Sequence, residues 1–197
     1  MRATLRAMRS KRRRYYGPTP SVAEPRPVLL AAVRCFVREA ARCAGVLRIA
    51  FVGSLTTDKA APKDADVLVT IDAGMELTKL ARAGRRLMGQ AQRINLGGDI
   101  FLADVAGRYL GRICRYRECH PRALCRARHC GLRDHLNDDL DVVTLSAKLI
   151  AEPPIELWPG ITRRVPVPAD VEMILLAQLE DGRTQNQLSG PDKQSDI

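Results

Sequence analysis

Apolar side chains along this chain recur with two different periods. Between Val28 and Ala44 they fall at Leu29, Leu30, Val33, Phe36, Val37, Ala40, Ala41 and Ala44, with Arg34, Arg38, Glu39 and Arg42 between them. That is the spacing of one helical face, and Pro27 and Gly45 sit where such a helix opens and closes. Met75–Gln92 repeats the pattern, with Leu77, Leu80, Ala81, Gly84, Leu87, Met88 and Ala91 on one side and Lys79, Arg82, Arg85 and Arg86 on the other. Val46–Val52 and Ala65–Ile71 are instead short continuous apolar runs rich in Val, Leu and Ile, which predicts neighbouring buried strands. A polar turn with room for a short helix, Gly53–Lys63, separates them. Gly97 and Gly98 break the second helix from a third strand, Asp99–Val105, and Leu140–Leu145 predicts a fourth. Prolines at 153, 154, 159, 166 and 168 mark a loop region, after which Asp170 is placed to cap a last helix, Val171–Leu179, whose Ile174, Leu175 and Leu179 face inward.

These elements predict one domain over 28–180, of the α/β (α+β) class, a small mixed sheet flanked by helices. Residues 1–27 read as a flexible basic arm, because Lys11–Arg14, Tyr15, Tyr16 and prolines at 18, 20, 25 and 27 resist helix and strand alike. Residues 181–197 are polar and predict a disordered tail. No internal repeat is present. Hydrophobic residues make up 46% of the 197, enough for a full core, but aromatics are only 4%, so Ala, Leu, Val and Ile must build it. That composition excludes an intrinsically disordered chain.

The formal charge of +10 favours anionic partners such as nucleotides, nucleic acid or an acidic protein. The longest apolar runs fall far short of the roughly 20 residues that span a membrane, and the basic N-terminus has no apolar stretch behind it to make a secretory signal. The expected location is cytoplasmic.

Candidate chemistry lies between the first two strands. Gly53 and Ser54 end one strand, nine residues of turn follow, and Asp64 and Asp66 open the next. Glycine lets a phosphate approach the backbone, and Ser54 offers a hydroxyl and an amide at what reads as a helix N-terminus. Two aspartates two apart on a strand leave from one face. Carboxylates so placed can share hard divalent cations, magnesium or manganese, which stabilise both the attacking and the leaving oxygen of a phosphoryl displacement. A third carboxylate usually completes such a site as base or ligand. Asp99, opening the third strand, is the better candidate, and Asp104, facing the opposite side, is the alternative.

At residues 53, 54, 64, 66 and 99 the chain resembles the polymerase β-like nucleotidyltransferase superfamily, in its small, minimal form. The pattern there is Gly-Ser, a turn, Asp-x-Asp and a later strand bearing an acid, and the resemblance spans residues 28–106. It implies a nucleotidyltransferase-like fold and transfer of a nucleoside monophosphate from a nucleoside triphosphate (ATP among them) to an acceptor hydroxyl. Gly53 and Ser54 would bind the nucleotide, and Asp64, Asp66 and Asp99 would be catalytic and hold the metal. The acceptor is open: a small molecule, a protein or a nucleic acid. Compact members also act as the antitoxin half of toxin–antitoxin pairs, and an inactive homologue also fits the pattern.

The stretch 111–137 is a Cys/His/Arg-rich insert. From Cys114 to Cys130 it reads C-x4-C-H-x4-C-x3-H-C, with His120 and His129 beside cysteines. Cys114, Cys119, Cys125 and Cys130 are the simplest tetrahedral set for a structural zinc, and reduced thiols are the alternative. Cys35 and Cys43, on the first helix, read as core thiols. Arg112, Arg115, Arg117, Arg122, Arg126, Arg128 and Arg133 crowd the insert, with Asp134, Asp138, Asp139 and Asp141 after them. Such a stretch suits either contact with a triphosphate or polyanion or a solvated, charge-balanced loop. The competing function is therefore a non-catalytic nucleic-acid-binding or toxin-binding protein that uses the basic arm and this insert.

Overall fold

The computed structural model describes residues 24–117 and 133–188, with side chains as far as 182. Strands β1 (Val46–Val52), β2 (Asp64–Ile71), β3 (Gly97–Ala103), β4 (Tyr109–Ile113), β5 (Leu136–Asn137), β6 (Ile155–Trp158) and β7 (Thr162–Arg163) form one sheet. The order is β5-β4-β3-β2-β1-β6-β7. Only β2 and β3 run parallel; every other neighbouring pair is antiparallel. The parallel pair needs a crossover, and the helix α2 (Thr78–Gln92) supplies it. The class is thus mixed α/β with a mixed sheet and helices, as the apolar periods predict.

Alternation along the strands divides the sheet into two faces. Ala65, Val67, Val69 and Ile71 of β2, with Ile100 and Leu102 of β3, turn to the main core under α1 (Pro25–Ala40) and α2. Leu87 and Ala91 of α2 and Leu29, Val33 and Phe36 of α1 are among the residues that meet them. Among the described residues the other face carries a smaller cluster, Ala50, Val52, Leu68, Ala103 and Ile150, joined by Phe101, Tyr109, Leu145 and Leu149 and topped by the five-residue α3 (Ala147–Ala151). That second face is where Asp66 and Asp99 emerge.

Several boundaries differ from expectation. α1 begins at Pro25, its proline at the first helical turn where no N–H is needed, so 25–27 belong to the helix and not to an arm. Residues 1–23 and Lys11–Arg14 with them lie outside the described residues. The strand expected at Leu140–Leu145 is absent: Asp139 accepts the N–H groups of Val142 and Val143, turning the chain back, and Leu140 and Val142 are exposed. The sheet is completed instead by the two ends of the 111–137 stretch, as β4 and β5, and by β6 and β7 among the prolines. Cys35 is exposed, not a core thiol, whereas Cys43 is half-buried and packs against the main core; its Sγ donates to the Glu39 carbonyl, and burial raises its pKa.

The last helical segment also departs from the reading. α4 (Ala169–Val171) passes through a π-helical turn (Glu172–Leu176) into α5, which runs on from Ala177 to Leu188, into the expected tail. Propagation is cheap once a helix is nucleated, and no proline intervenes before 191. Arg34 and Arg38, off the apolar face of α1, donate to the carbonyls of Ile174 and Gln178 and lash this segment to α1. Pro168, not Asp170, holds the N-cap position; from the first turn the Asp170 carboxylate accepts the Val171 N–H at 2.9 Å and also takes Arg26. No described helix is long and apolar enough to cross a membrane.

Candidate active site at the ends of β1 to β4

β1 ends at Val52, and Gly53 then adopts φ 76° and ψ −167°, a backbone conformation essentially restricted to glycine. Ser54–Thr56 form a single 3-10 turn rather than an extended helix. The Thr56 N–H and hydroxyl both donate to the Gly53 carbonyl, at 3.2 and 2.8 Å, and Thr57 does likewise to Ser54. A Cβ on Gly53 would overlap Oδ2 of Asp66. The space on the side where a Cβ would stand is therefore occupied by the Asp66 carboxylate. Asp64 repeats the device, since a Cβ on Gly97 would overlap its Oδ1. Gly97 and Gly98, expected to precede β3, are its first two residues, and Gly98 makes room for Leu87.

Asp66 and Asp99 are direct partners in the parallel register of β2 and β3, so their backbones lie about 4.8 Å apart. Asp64, two residues from Asp66, shares its face. Burial, then the carboxylates of Asp99 and Asp64, push the Asp66 carboxyl up to about 7, against the opposing pull of Arg112. Asp104 is placed elsewhere. Five residues along, about 16 Å away by strand rise, it closes the β3–β4 hairpin by accepting the Arg108 N–H at 2.9 Å and its Nε at 2.7 Å, which hold its pKa down.

Sequence reasoning treated Arg112 as one of many insert cations and passed over Tyr109. The structure sets both at the site. Arg112 donates from Nη1 to Asp99 at 3.0 Å and from Nε to Asp139 at 2.5 Å, and the Tyr109 hydroxyl donates to the other oxygen of Asp139 at 2.9 Å. Asp139 is 1% exposed, and these two donors satisfy both of its carboxylate oxygens. Burial and the bond to Asp139 raise the Tyr109 pKa, keeping it protonated and donating. Tyr109 and Arg112 are three apart and would ordinarily face opposite ways. The β3–β4 register shifts between Leu102 and Ala103, and Gly111, at φ 121°, lies against the Asn137 carbonyl where no side chain fits. That bulge turns both side chains to the carboxylate face. A glycine inside a short strand was the available signal.

Arg26 braces the 53–63 turn from behind. Its Nε and Nη2 grip both oxygens of Asp170 at 2.6 and 3.0 Å, and its Nη1 donates to the carbonyls of Thr57 and Lys59 at 3.0 and 2.9 Å. Arg26→Ala is expected to cost about 2 kcal/mol, through a partly buried carboxylate and carbonyls left without their donor. Amide exchange should speed up across 54–60. Arg26 holds the Asp170 pKa below its ordinary value, so this stabilisation is present above about pH 4 and is lost as pH falls further. Urea midpoints for wild type and variant should therefore converge in acid; a pH-independent gap would show that the pair contributes nothing.

Among the described residues no three His, Cys, Asp or Glu side chains converge into a ready metal group. Asp64, Asp66 and Asp99 are aligned rather than gathered. Their chemistry nonetheless fits a hard divalent cation: all donors are carboxylate oxygens, and the Asp66 carboxyl, raised by burial and then by Asp99 and Asp64, lies where a cation would offset negative charge. Of the cysteine set, Cys114 follows β4 and is half-buried; Cys119, Cys125 and Cys130, with His120, His129, Arg122, Arg126 and Arg128, lie outside the described residues. Compared with known proteins, the chain matches no family model, no curated protein and no solved structure.

Proposed function

We propose that the protein is a metal-dependent nucleotidyltransferase that moves a nucleoside monophosphate from a nucleoside triphosphate to an acceptor hydroxyl. The observation that carries this reading is the pairing of Asp66 with Asp99 across the parallel strands, with Asp64 on the same face and Gly53 and Ser54 at the adjoining end of β1. Strand order lays these out in a row, Gly53 and Ser54, then Asp66, then Asp99, about 10 Å from end to end at the usual strand spacing. Such a row suits in-line displacement, whose attacking and leaving oxygens lie on opposite sides of phosphorus.

Asp64 and Asp66, with Asp99, would hold magnesium or manganese, which when bound offsets the negative charge that builds on the phosphate oxygens. The turn at Gly53 and Ser54, braced by Arg26, positions the triphosphate. Asp99 faces the acceptor and takes its hydroxyl proton, while Arg112, fixed by Asp139, holds the Asp99 carboxylate in place.

The direct test incubates labelled nucleoside triphosphates and magnesium with panels of small-molecule, protein and nucleic-acid acceptors. Wild type should transfer label, and Asp64→Ala with Asp66→Ala should transfer none. Activity that survives in the double variant would end this reading.

A further inference from the structure

Beyond the carboxylate row, a cleft of about 720 Å3 opens between α2 and the strands β3 to β5, with Asp99 and Arg112 in its wall. We infer that this cleft is the acceptor site and takes a small hydroxyl-bearing anion, a phosphate or carboxylate ester or acid no larger than a nucleotide. The inference rests on the nucleotidyltransferase reading and deepens it.

Position is the first argument. Gly53 and Ser54 lie at one end of the row, and the cleft begins at the other, beyond Asp99. In-line geometry sends pyrophosphate out on the Gly53 side and brings the nucleophile in from the Asp99 side. The acceptor oxygen forms its bond to the α-phosphorus as the bond from that phosphorus to the bridging oxygen of pyrophosphate breaks. Pyrophosphate leaves with the electron pair, and the hydroxyl proton passes to the Asp99 carboxylate.

Charge and size supply the rest. Among the described residues the wall sets three guanidinium groups, Arg85, Arg112 and Arg115, against one carboxylate, that of Asp99. Arg85 and Arg112 are held in place, the first on the Tyr116 carbonyl at 3.1 Å and the second on Asp139, while Arg115 is exposed. Met88 and Ile113 give the cleft an apolar side for the body of the ligand. A volume of this size falls within the roughly 300–1,000 Å3 range of small-ligand sites. Gly89 also lines the cleft, and a Cβ there would meet nothing within 4 Å. The helix surface at that point is open because the residue is glycine, not because the fold forbids a larger one.

That opening allows the cleft to be filled without disturbing the core. Ribose 5-phosphate, adenosine 5′-monophosphate and 3-phosphoglycerate, with neutral ribose and adenosine beside them, are titrated by calorimetry with magnesium and a saturating non-hydrolysable triphosphate. Three proteins are compared: wild type, Gly89→Ala and Gly89→Trp. At least one anion should bind wild type and Gly89→Ala alike, tenfold or more tighter than the neutral probes. Gly89→Trp should weaken it at least tenfold while its melting temperature and triphosphate affinity stay at the Gly89→Ala values. Binding that is unchanged by Gly89→Trp, that fails to prefer anions, or that is absent for every probe overturns the assignment. Because none of these readouts needs turnover, a protein that binds the anion in the cleft but transfers nothing would count against the enzymatic reading and not against the site.

Discussion

Asp66→Asn is expected to abolish nucleotide transfer and, in the same step, to make the protein more stable. The loss should be on the order of a thousandfold, as for other groups that hold the charge-neutralising cation in phosphoryl transfer. The gain follows from crowding. In the folded chain the Asp66 carboxyl is pushed up to about 7 by burial and by Asp99 and Asp64, against an ordinary value near 4. Folding therefore favours the protonated form, and wild-type stability falls as pH rises between about 4 and 7. Asparagine carries no charge to repel. Allowing for the solvent that still reaches this carboxylate, the variant should gain about 2 kcal/mol at pH 8, or roughly 4–8 °C in melting temperature. The two melting curves should coincide near pH 4 and separate steadily to pH 8. Magnesium at pH 8 should raise the wild-type melting temperature and leave the variant's unchanged. A variant less stable than wild type at pH 8 would show that the carboxylate is stabilised by its surroundings, contrary to the crowded site described above.

Gly53→Ala should be damaging for two separable reasons. The backbone at φ 76° and ψ −167° strains any residue with a Cβ, at about 1–3 kcal/mol. The new methyl would also overlap Oδ2 of Asp66, driving that carboxylate off its position. A total of about 3 kcal/mol by urea denaturation is expected, together with at least a hundredfold fall in transfer. A double-mutant cycle separates the parts. In an Asp66→Ala background the overlapping carboxylate is gone and only the strain remains, so Gly53→Ala should cost less there by about 1 kcal/mol or more. Additive costs would mean that the methyl and the carboxylate never met.

The elements that were legible in the sequence share a physical property: each is long enough for its period to show. α1, β1, β2 and α2 span 7 to 16 residues and bury one face or both. β6 is four residues, Ile155–Trp158, ringed by prolines that read as loop although they flank a strand paired with β1. β5 and β7 are two residues each, and their pairing is decided by the neighbour they meet rather than by any pattern of their own. The same contrast runs through the site. Asp64 and Asp66 announce themselves by their spacing, whereas Asp99 is set beside Asp66 by a register that only the crossover through α2 determines. Arg112, Asp139 and Tyr109 span thirty residues and are brought together by a bulge. Arg26 and Asp170 meet from 144 residues apart.

The bulge at Gly111 has a consequence for how this protein can change. Arg112 and Asp139 sit at the two roots of the Cys/His/Arg-rich insert, and their ion pair, with the β4–β5 pairing beside it, fastens those roots together next to Asp99. Once a loop's ends are fastened, lengthening the chain between them costs little further entropy, about 0.6 kcal/mol for each doubling. Changes of length or sequence between 117 and 133 are therefore expected to leave Asp64, Asp66 and Asp99 where they are, so that stretch and the carboxylate row are free to evolve at different rates.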